Sequence, residues 1–210
     1  MAYFMVHLNI AQSIYEQHSG IKDKGAFYLG AIAPDAIAFR QGSVRSDKKA
    51  THFCIGDEDW GGITNCDEWQ ENLIVNTKRY KGIINDDFLF GYCTHVVADI
   101  ETNRRFYGPV REKHDDQLIK AYVKDCSAAE TILLDRMKNR DELWPLLYQS
   151  NQYELPGLNN CQNISSMIDF MKNELYANML TNPEYHASIY DITDFMMFIE
   201  NTIHLINTLW

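Results

Sequence analysis

The segment FLFGYCTHVVADIE, residues 88–101, is the most informative stretch of the chain. Its residues are mainly apolar or aromatic, but it also contains His95 and, four residues later, Asp99. Residues four apart lie on the same face of an α-helix. The spacing therefore predicts a buried helix, over about 85–105, on which an imidazole and a carboxylate project together.

A carboxylate in such a helix needs a partner, because an ionised group is costly to remove from water. A divalent cation of the zinc type would suit both side chains, since zinc takes imidazole nitrogen and carboxylate oxygen ligands at about 2.0–2.2 Å. A hydrogen bond between His95 and Asp99, or from either of them to a nearby tyrosine, would also suit them. The HxxxD spacing by itself leaves both interpretations open.

The rest of the chain is also dominated by helical periodicity. Further helices are predicted over 3–18, from an N-cap at Asp67 to Tyr80, and over 110–139, 163–180 and 188–208. No alternation of apolar and polar residues is long enough to predict a sheet. We therefore expect an all-α protein, a helical bundle in which residues 1–210 form a single metal-binding domain.

Proline and glycine predict where these elements end. Pro34 disfavours helical geometry at the preceding residue and should end the apolar segment 26–33. The pair Gly108-Pro109 should end the helix that carries His95. Residues 40–66 are rich in glycine and charge and predict a long loop, which in a compact domain often forms part of a site.

Composition excludes several classes of function. The 210 residues are 46% hydrophobic and 23% charged, with a net charge of −10, so a nucleic-acid surface is not expected. No apolar run is long enough to span a bilayer. The C-terminal segment 188–210 is expected to be a core helix that closes the bundle, with contact to a membrane surface or a partner helix left open. The five cysteines include no CxxC pair and predict reduced thiols in the cytoplasm. The oligomeric state is left open.

Three more residues are candidate ligands. His7 lies on the buried side of the first predicted helix, Asp35 follows Pro34 in the sequence GAIAPD, and His52 lies in the sequence THF. Each also has an ordinary explanation, as a core histidine, as a carboxylate where a helix stops, or as a surface histidine. Their combination with the HxxxD pair favours a metal site.

Four short motifs in this order resemble the zinc-dependent phospholipase C family, in the broad sense that includes many small bacterial hydrolases. They are HLNIAQ (7–12), GAIAPD (30–35), KKATHF (48–53) and FGYCTHVVAD (90–99). The resemblance covers about the first half of the chain. It implies an all-helical fold, which agrees with the periodicity.

The resemblance also implies a role for each candidate residue. Asp35, His52, His95 and Asp99 would together bind one zinc ion. Asp99 would also bridge towards a second metal, held partly by His7. One zinc site is expected on this basis, and the second is left open.

The chain departs from the phospholipases after Asp99. Their third metal is held by two histidines and a glutamate in the order H…HxxxE, whereas His114, His186 and His204 of this chain lack that glutamate. Asp125 and Glu130 are left open as substitute ligands. Specificity for phospholipids is therefore not implied.

The activity implied is hydrolysis of a small phosphate ester by metal-activated water, because zinc lowers the pKa of water and stabilises negative charge on a phosphoryl oxygen. Asp35 is the candidate to orient or deprotonate that water. One alternative is a non-catalytic relative with a structural or lost metal site. Another is an HD-type phosphohydrolase, indicated by His114-Asp115, although that pair lies in the charged sequence VREKHDDQ.

Overall fold

The computed structural model describes residues 3–54, 56, 58–158, 163–177 and 186–209. Within those ranges the regular structure is helical, and β structure is limited to an isolated bridge between Leu155 and Leu158. The predicted all-α class is confirmed. Cys161 and residues 178–180 of the predicted helix 163–180 lie outside the described ranges.

Ten α-helices are described, and three short 3₁₀ or π segments extend or join them. The α-helices are α1 Phe4–Gln17, α2 Lys24–Gly30, α3 Asp47–Thr51, α4 Cys66–Tyr80, α5 Asp86–Thr102, α6 Gly108–Arg111, α7 Asp116–Arg136, α8 Arg140–Gln149, α9 Ile164–Phe170 and α10 Ile192–Leu209. The other segments are a 3₁₀ helix, Ala33–Phe39, and two π-helical segments, Asn103–Tyr107 and Met171–Leu175. One hydrophobic core runs from Met5 in α1 to Ile206 in α10.

Helix α5 is the centre of the bundle. It packs against α1, α2, α4 and α10, and nearly all of its side chains are buried. The side chain of Asn85 accepts a hydrogen bond from the backbone N–H of Phe88 and so caps its first turn. His95 and Asp99 are therefore held on a helix that four other described helices enclose.

Two glycines bring the backbones of α2 and α5 into direct contact. A Cβ atom on Gly30 would lie 2.1 Å from the carbonyl oxygen of Phe88, and one on Gly91 would lie 1.9 Å from that of Phe27. Any larger side chain at either position would force the helices apart. Both glycines belong to the motifs that carry the predicted ligands.

Glu130, on α7, caps the first turn of α1 from 125 residues away. Its carboxylate accepts the backbone N–H groups of Met5, at 2.8 Å, and Val6, at 3.2 Å, while the hydroxyl of Tyr176 donates to its other oxygen. Unpaired N–H groups in a first helical turn need such acceptors. The bond network fixes the helix that carries His7.

Asp125 has the same kind of role at the other end of the chain. Its carboxylate accepts the backbone N–H groups of Ser188, Ile189 and Tyr190 at 2.7–3.0 Å, just before α10 begins. The two acidic residues that the sequence left open as metal ligands, Asp125 and Glu130, are thus engaged by backbone amides.

Two predicted boundaries around the site are wrong. Helical geometry does not stop at Pro34, because the 3₁₀ helix starts at Ala33 and places Pro34 in its first turn. Proline is tolerated there, since the N–H that it lacks would have no partner in the helix. The expected loop 40–66 contains α3, and Asn65 rather than Asp67 caps α4 by accepting the N–H of Glu68.

The boundaries after α5 also differ from the prediction. Gly108-Pro109 does not end the helical path, which continues through the π segment and α6 to Arg111. The break comes at His114, whose φ is +50°, and Asp115 then caps α7 at residue 116 instead of 110. Helix α8 was not predicted, and α10 starts at Ile192 rather than at 188.

None of the described helices is both long and apolar enough to cross a membrane. The longest apolar one, α10, packs against α1, α5 and α7 through residues that include Phe195, Phe198 and Ile206. Its contacts explain its apolar spacing as a face of the core.

Candidate metal centre

The five residues predicted as ligands lie together in the interior. His7 comes from α1, Asp35 from the 3₁₀ helix, His52 from the C-terminal end of α3, and His95 and Asp99 from α5. All five are buried, and Asp35 is the most exposed of them at 8%. Four separate segments of the first hundred residues therefore meet at one point.

A backbone carbonyl fixes the orientation and tautomer of His95. Its Nδ1 lies 2.8 Å from the carbonyl oxygen of Ala31, which follows the glycine contact between α2 and α5. Because a carbonyl oxygen can only accept, Nδ1 carries the hydrogen. The neutral ring then presents an unshared electron pair at Nε2, as a metal-binding histidine requires.

His52 is oriented in the same way. Its Nδ1 lies 2.8 Å from the carbonyl oxygen of Lys48, one turn earlier on α3, so that Nε2 again presents an electron pair in the neutral ring. The indole N–H of Trp69 donates to the carbonyl oxygen of His52 at 2.7 Å and holds the backbone. Both rings are thus set by main-chain atoms.

The turn after His52 is closed by an unusual residue. Phe53 has a left-handed φ of +55°, and the N–H of Cys54 donates to the carbonyl oxygen of Lys49 at 2.9 Å. Glycine is the usual residue at this position of a helix C-terminus. Here the phenyl ring packs against Tyr80 and Tyr92, with ring centroids 6.1 and 5.4 Å away, which offsets the backbone strain.

The two histidines face each other through their Nε2 atoms, which are 3.2 Å apart. Asp35 Oδ1 and Asp99 Oδ2 are each 3.3 Å from Nε2 of His52 and 3.9 Å from Nε2 of His95. Two electron pairs at this distance repel unless a proton or a cation lies between them. A tetrahedral ion with bonds of about 2.0–2.2 Å has ligand atoms about 3.3–3.6 Å apart. The distances from the two carboxylate oxygens to His52 match this range, and those to His95 are longer.

His7 extends the cluster on the other side of Asp99. Its ring stacks on that of His95, with centroids 3.6 Å apart, and its Nε2 lies 3.5 Å from Asp99 Oδ1. Asp99 therefore directs one oxygen towards His7 and the other towards His52, as a bridging carboxylate would. Two buried groups could each hold a metal ion: His7, His95 and Asp99, and Asp35, His52 and His95.

Both ring nitrogens of His7 are buried and lack a hydrogen-bond partner in the described part of the chain. Leaving one buried polar group unsatisfied costs about 1–3 kcal/mol. A cation bound between His7 and Asp99 would remove that cost.

The carboxylates are ionised despite their burial. Burial raises the pKa of Asp35, but the ammonium of Lys48, 2.6 Å from Oδ1, together with His52 and His95, outweighs it and holds that pKa well below its usual range. Burial likewise raises the pKa of Asp99, and the hydrogen bond from His52 together with the nearby rings of His7 and His95 outweighs that effect, so the pKa is held well below its usual range. The buried cluster thus contains two negative charges.

The histidines differ in their affinity for a proton. Burial and the neighbouring ring of His7 hold the pKa of His95 well below 6.5. Burial also lowers the pKa of His52, but its bonds to Asp35 and Asp99 raise it above 6.5 overall. Lys48 balances one of the two carboxylates, so either a proton on His52 or a cation balances the other.

Lys48 and Arg45 are functional candidates that the sequence reasoning did not assign. Both line a cavity of about 490 Å³ that reaches Asp35, together with Tyr107 and Tyr122. The available signal was the basic cluster RSDKK, residues 45–49, in which Lys48 lies one helical turn before His52.

The remaining candidates lie away from the cluster. His114, His186 and His204 are exposed, and Asp115 is a helix cap. Cys93, on α5, is fully buried, and burial raises the pKa of its thiol to about 12.

Comparison of the chain with protein-family models, with curated proteins and with solved structures finds no match. The resemblance to the zinc-dependent phospholipase C family therefore stays a prediction from the four motifs.

Proposed function

We propose that this chain is a zinc-dependent hydrolase of phosphate esters and a relative of the zinc-dependent phospholipases C. The observation that carries the proposal is the pair of Nε2 atoms of His52 and His95, 3.2 Å apart and each within 3.9 Å of two carboxylate oxygens. A set of two imidazoles and two carboxylates is typical of zinc.

The support extends beyond the ligands themselves. Metal-binding histidines in proteins usually donate their second ring N–H to a carbonyl or carboxylate, and both His52 and His95 donate to backbone carbonyls. The rings are therefore oriented before an ion arrives. Little rearrangement is needed for binding.

Asp35 and Asp99 have different roles in this proposal. Bound zinc would activate water and stabilise negative charge on a phosphoryl oxygen. Asp35, which lines the cavity, is the carboxylate placed to orient that water and accept its proton, whereas Asp99 is only 2% exposed and serves to hold the ions. Lys48, 2.6 Å from Asp35, pairs with this carboxylate and holds it in place.

Metal analysis tests the site. Protein purified without added metal is expected to contain zinc in stoichiometric amount by plasma mass spectrometry, and His95→Ala is expected to lose it. His204→Ala, at an exposed position on α10, is the matched control and should retain it. Equal metal content in His95→Ala and wild type would contradict the proposal.

Turnover tests the reaction. Zinc-loaded protein is expected to release nitrophenol from nitrophenyl phosphate esters, and the chelated protein and His95→Ala should not. Stoichiometric zinc without turnover would refute the hydrolase and favour a non-catalytic metal protein. His114→Ala should keep full activity, whereas loss of metal in it would favour the HD-type alternative.

A further inference from the structure

The cavity beside Asp35 differs in charge from the protein as a whole. The chain has a net charge of −10, yet Arg45 and Lys48 both line this cavity, and Asp35 is the acidic residue in its wall. Lys48 already pairs with Asp35, at 2.6 Å. The charge that remains available to a ligand is the guanidinium of Arg45.

The guanidinium of Arg45 lies beside Gly61 and Tyr107 and is not neutralised. Its Nη2 atom approaches so close to Gly61 that a Cβ atom there would lie 2.5 Å away, and the hydroxyl of Tyr107 lies 3.5 Å from the same point. The guanidinium forms no hydrogen bond or ion pair with any residue that the structure describes, although the backbone carbonyl of Arg45 accepts the N–H of Lys48. An unpaired guanidinium beside a buried site suits a phosphate oxygen, which it can bind through two N–H groups.

The rest of the cavity is apolar and aromatic. The rings of Tyr107 and Tyr122 are 5.9 Å apart, and the other apolar or aromatic residues of the wall are Tyr3, Phe4, Ile119, Val123 and Leu175. A volume of about 490 Å³ is within the range for small ligands. Such a wall would bind an apolar group attached to the phosphate.

We propose that this cavity takes a dianionic phosphate monoester of an apolar, aryl-sized alcohol, and that Arg45 selects the terminal phosphate over a diester. The inference rests on the proposed hydrolase function for its reaction. It adds the substrate class and a specificity-determining residue.

Calorimetric titration of zinc-loaded protein with phenylphosphonate, a non-hydrolysable monoester analogue, tests the inference without turnover. The pH is set above the second pKa of the phosphonate. Arg45→Gln should bind it about tenfold more weakly, the value of one charge-assisted contact. Arg140→Gln, an exposed arginine on α8, is the matched control and should bind as wild type does.

Two further ligands complete the test. Methyl phenylphosphonate, with one charge, should bind wild type more weakly than phenylphosphonate and respond less to Arg45→Gln. Methylphosphonate, which lacks the ring, should also bind more weakly. Absent phosphonate binding, equal affinity in Arg45→Gln and wild type, or equal affinity for all three ligands would overturn the inference. Phosphonate binding without ester turnover would refute the hydrolase alone.

Discussion

Replacing Gly91 with alanine should disturb the metal centre without touching a ligand. The new Cβ would lie 1.9 Å from the carbonyl oxygen of Phe27 and 3.0 Å from the backbone nitrogen of Ala31. Carbon and oxygen atoms in normal contact are more than 3 Å apart, so α2 must move from α5 by about 1 Å or more.

The displacement acts on the bond that orients His95. Its Nδ1 is 2.8 Å from the carbonyl oxygen of Ala31, and a shift of that size takes the pair beyond about 3.5 Å, where a hydrogen bond is lost. Losing such a supporting bond typically lowers metal affinity by about 10–100-fold. Forcing the extra methyl group into the core should also destabilise the fold by about 1–3 kcal/mol.

Zinc affinity by competition with a chromophoric chelator, and stability by urea unfolding, measure the two effects. Gly20→Ala is the matched control, because a Cβ there meets no atom within 4 Å. It should leave zinc affinity unchanged. Wild-type zinc affinity in a folded Gly91→Ala protein would refute the argument that the glycine contact positions the ligand.

Three other outcomes are expected. Burial raises the pKa of Glu130 from 4.5 to about 7, so the folded state holds that proton more tightly than the unfolded chain does. Urea unfolding should therefore show the free energy of unfolding falling by up to about 3 kcal/mol as the pH rises from 4.5 to about 7. Glu130→Gln should remove this fall, and parallel pH curves for the variant and wild type would contradict the prediction. Phe53→Gly should lower the free energy of unfolding by about 2 kcal/mol, because lost aromatic packing exceeds the relief of the left-handed φ, and unchanged stability would show otherwise. At a pH below the raised pKa of His52, zinc binding should release a proton from its ring. The calorimetric heat of zinc binding should then differ between buffers of different ionisation enthalpy, and identical heats would exclude proton release.

The sequence predicted the elements whose apolar spacing matches burial in the fold. Residues 3–18 become α1, and the segment around His95 becomes the central helix α5, because each presents an apolar face to the core. The convergence of the five candidate ligands was also expected. Apart from His95 and Asp99, none of the candidate ligands has a possible partner close by in the sequence. Burying these polar side chains therefore requires them to contact one another.

Helix boundaries were less predictable where neighbouring residues compete to start or end the helix. Pro34 and Pro109 were expected to end helices, but a proline in a first turn has no hydrogen bond to remove. Asn65 and Asp67 are both good cap residues, and the choice between them depends on where α4 packs.

Contacts between distant residues could not be predicted at all. The caps supplied by Glu130 and Asp125 join positions more than sixty residues apart, and nothing local indicates them. The same holds for Arg45 and Lys48, which line the cavity beside Asp35 only in the folded chain.

The anchoring of α1 by Glu130 has a consequence for dissecting the protein. Every candidate ligand precedes residue 100, yet the helix bearing His7 begins on a carboxylate from α7, which Tyr176 bonds in turn. A truncated chain ending after α5 would keep all five side chains and lose the group that sets one of them. The truncated chain would contain every candidate ligand but would not hold all of them in the native positions. The second half of the chain therefore supports the geometry of a site to which it contributes no ligand.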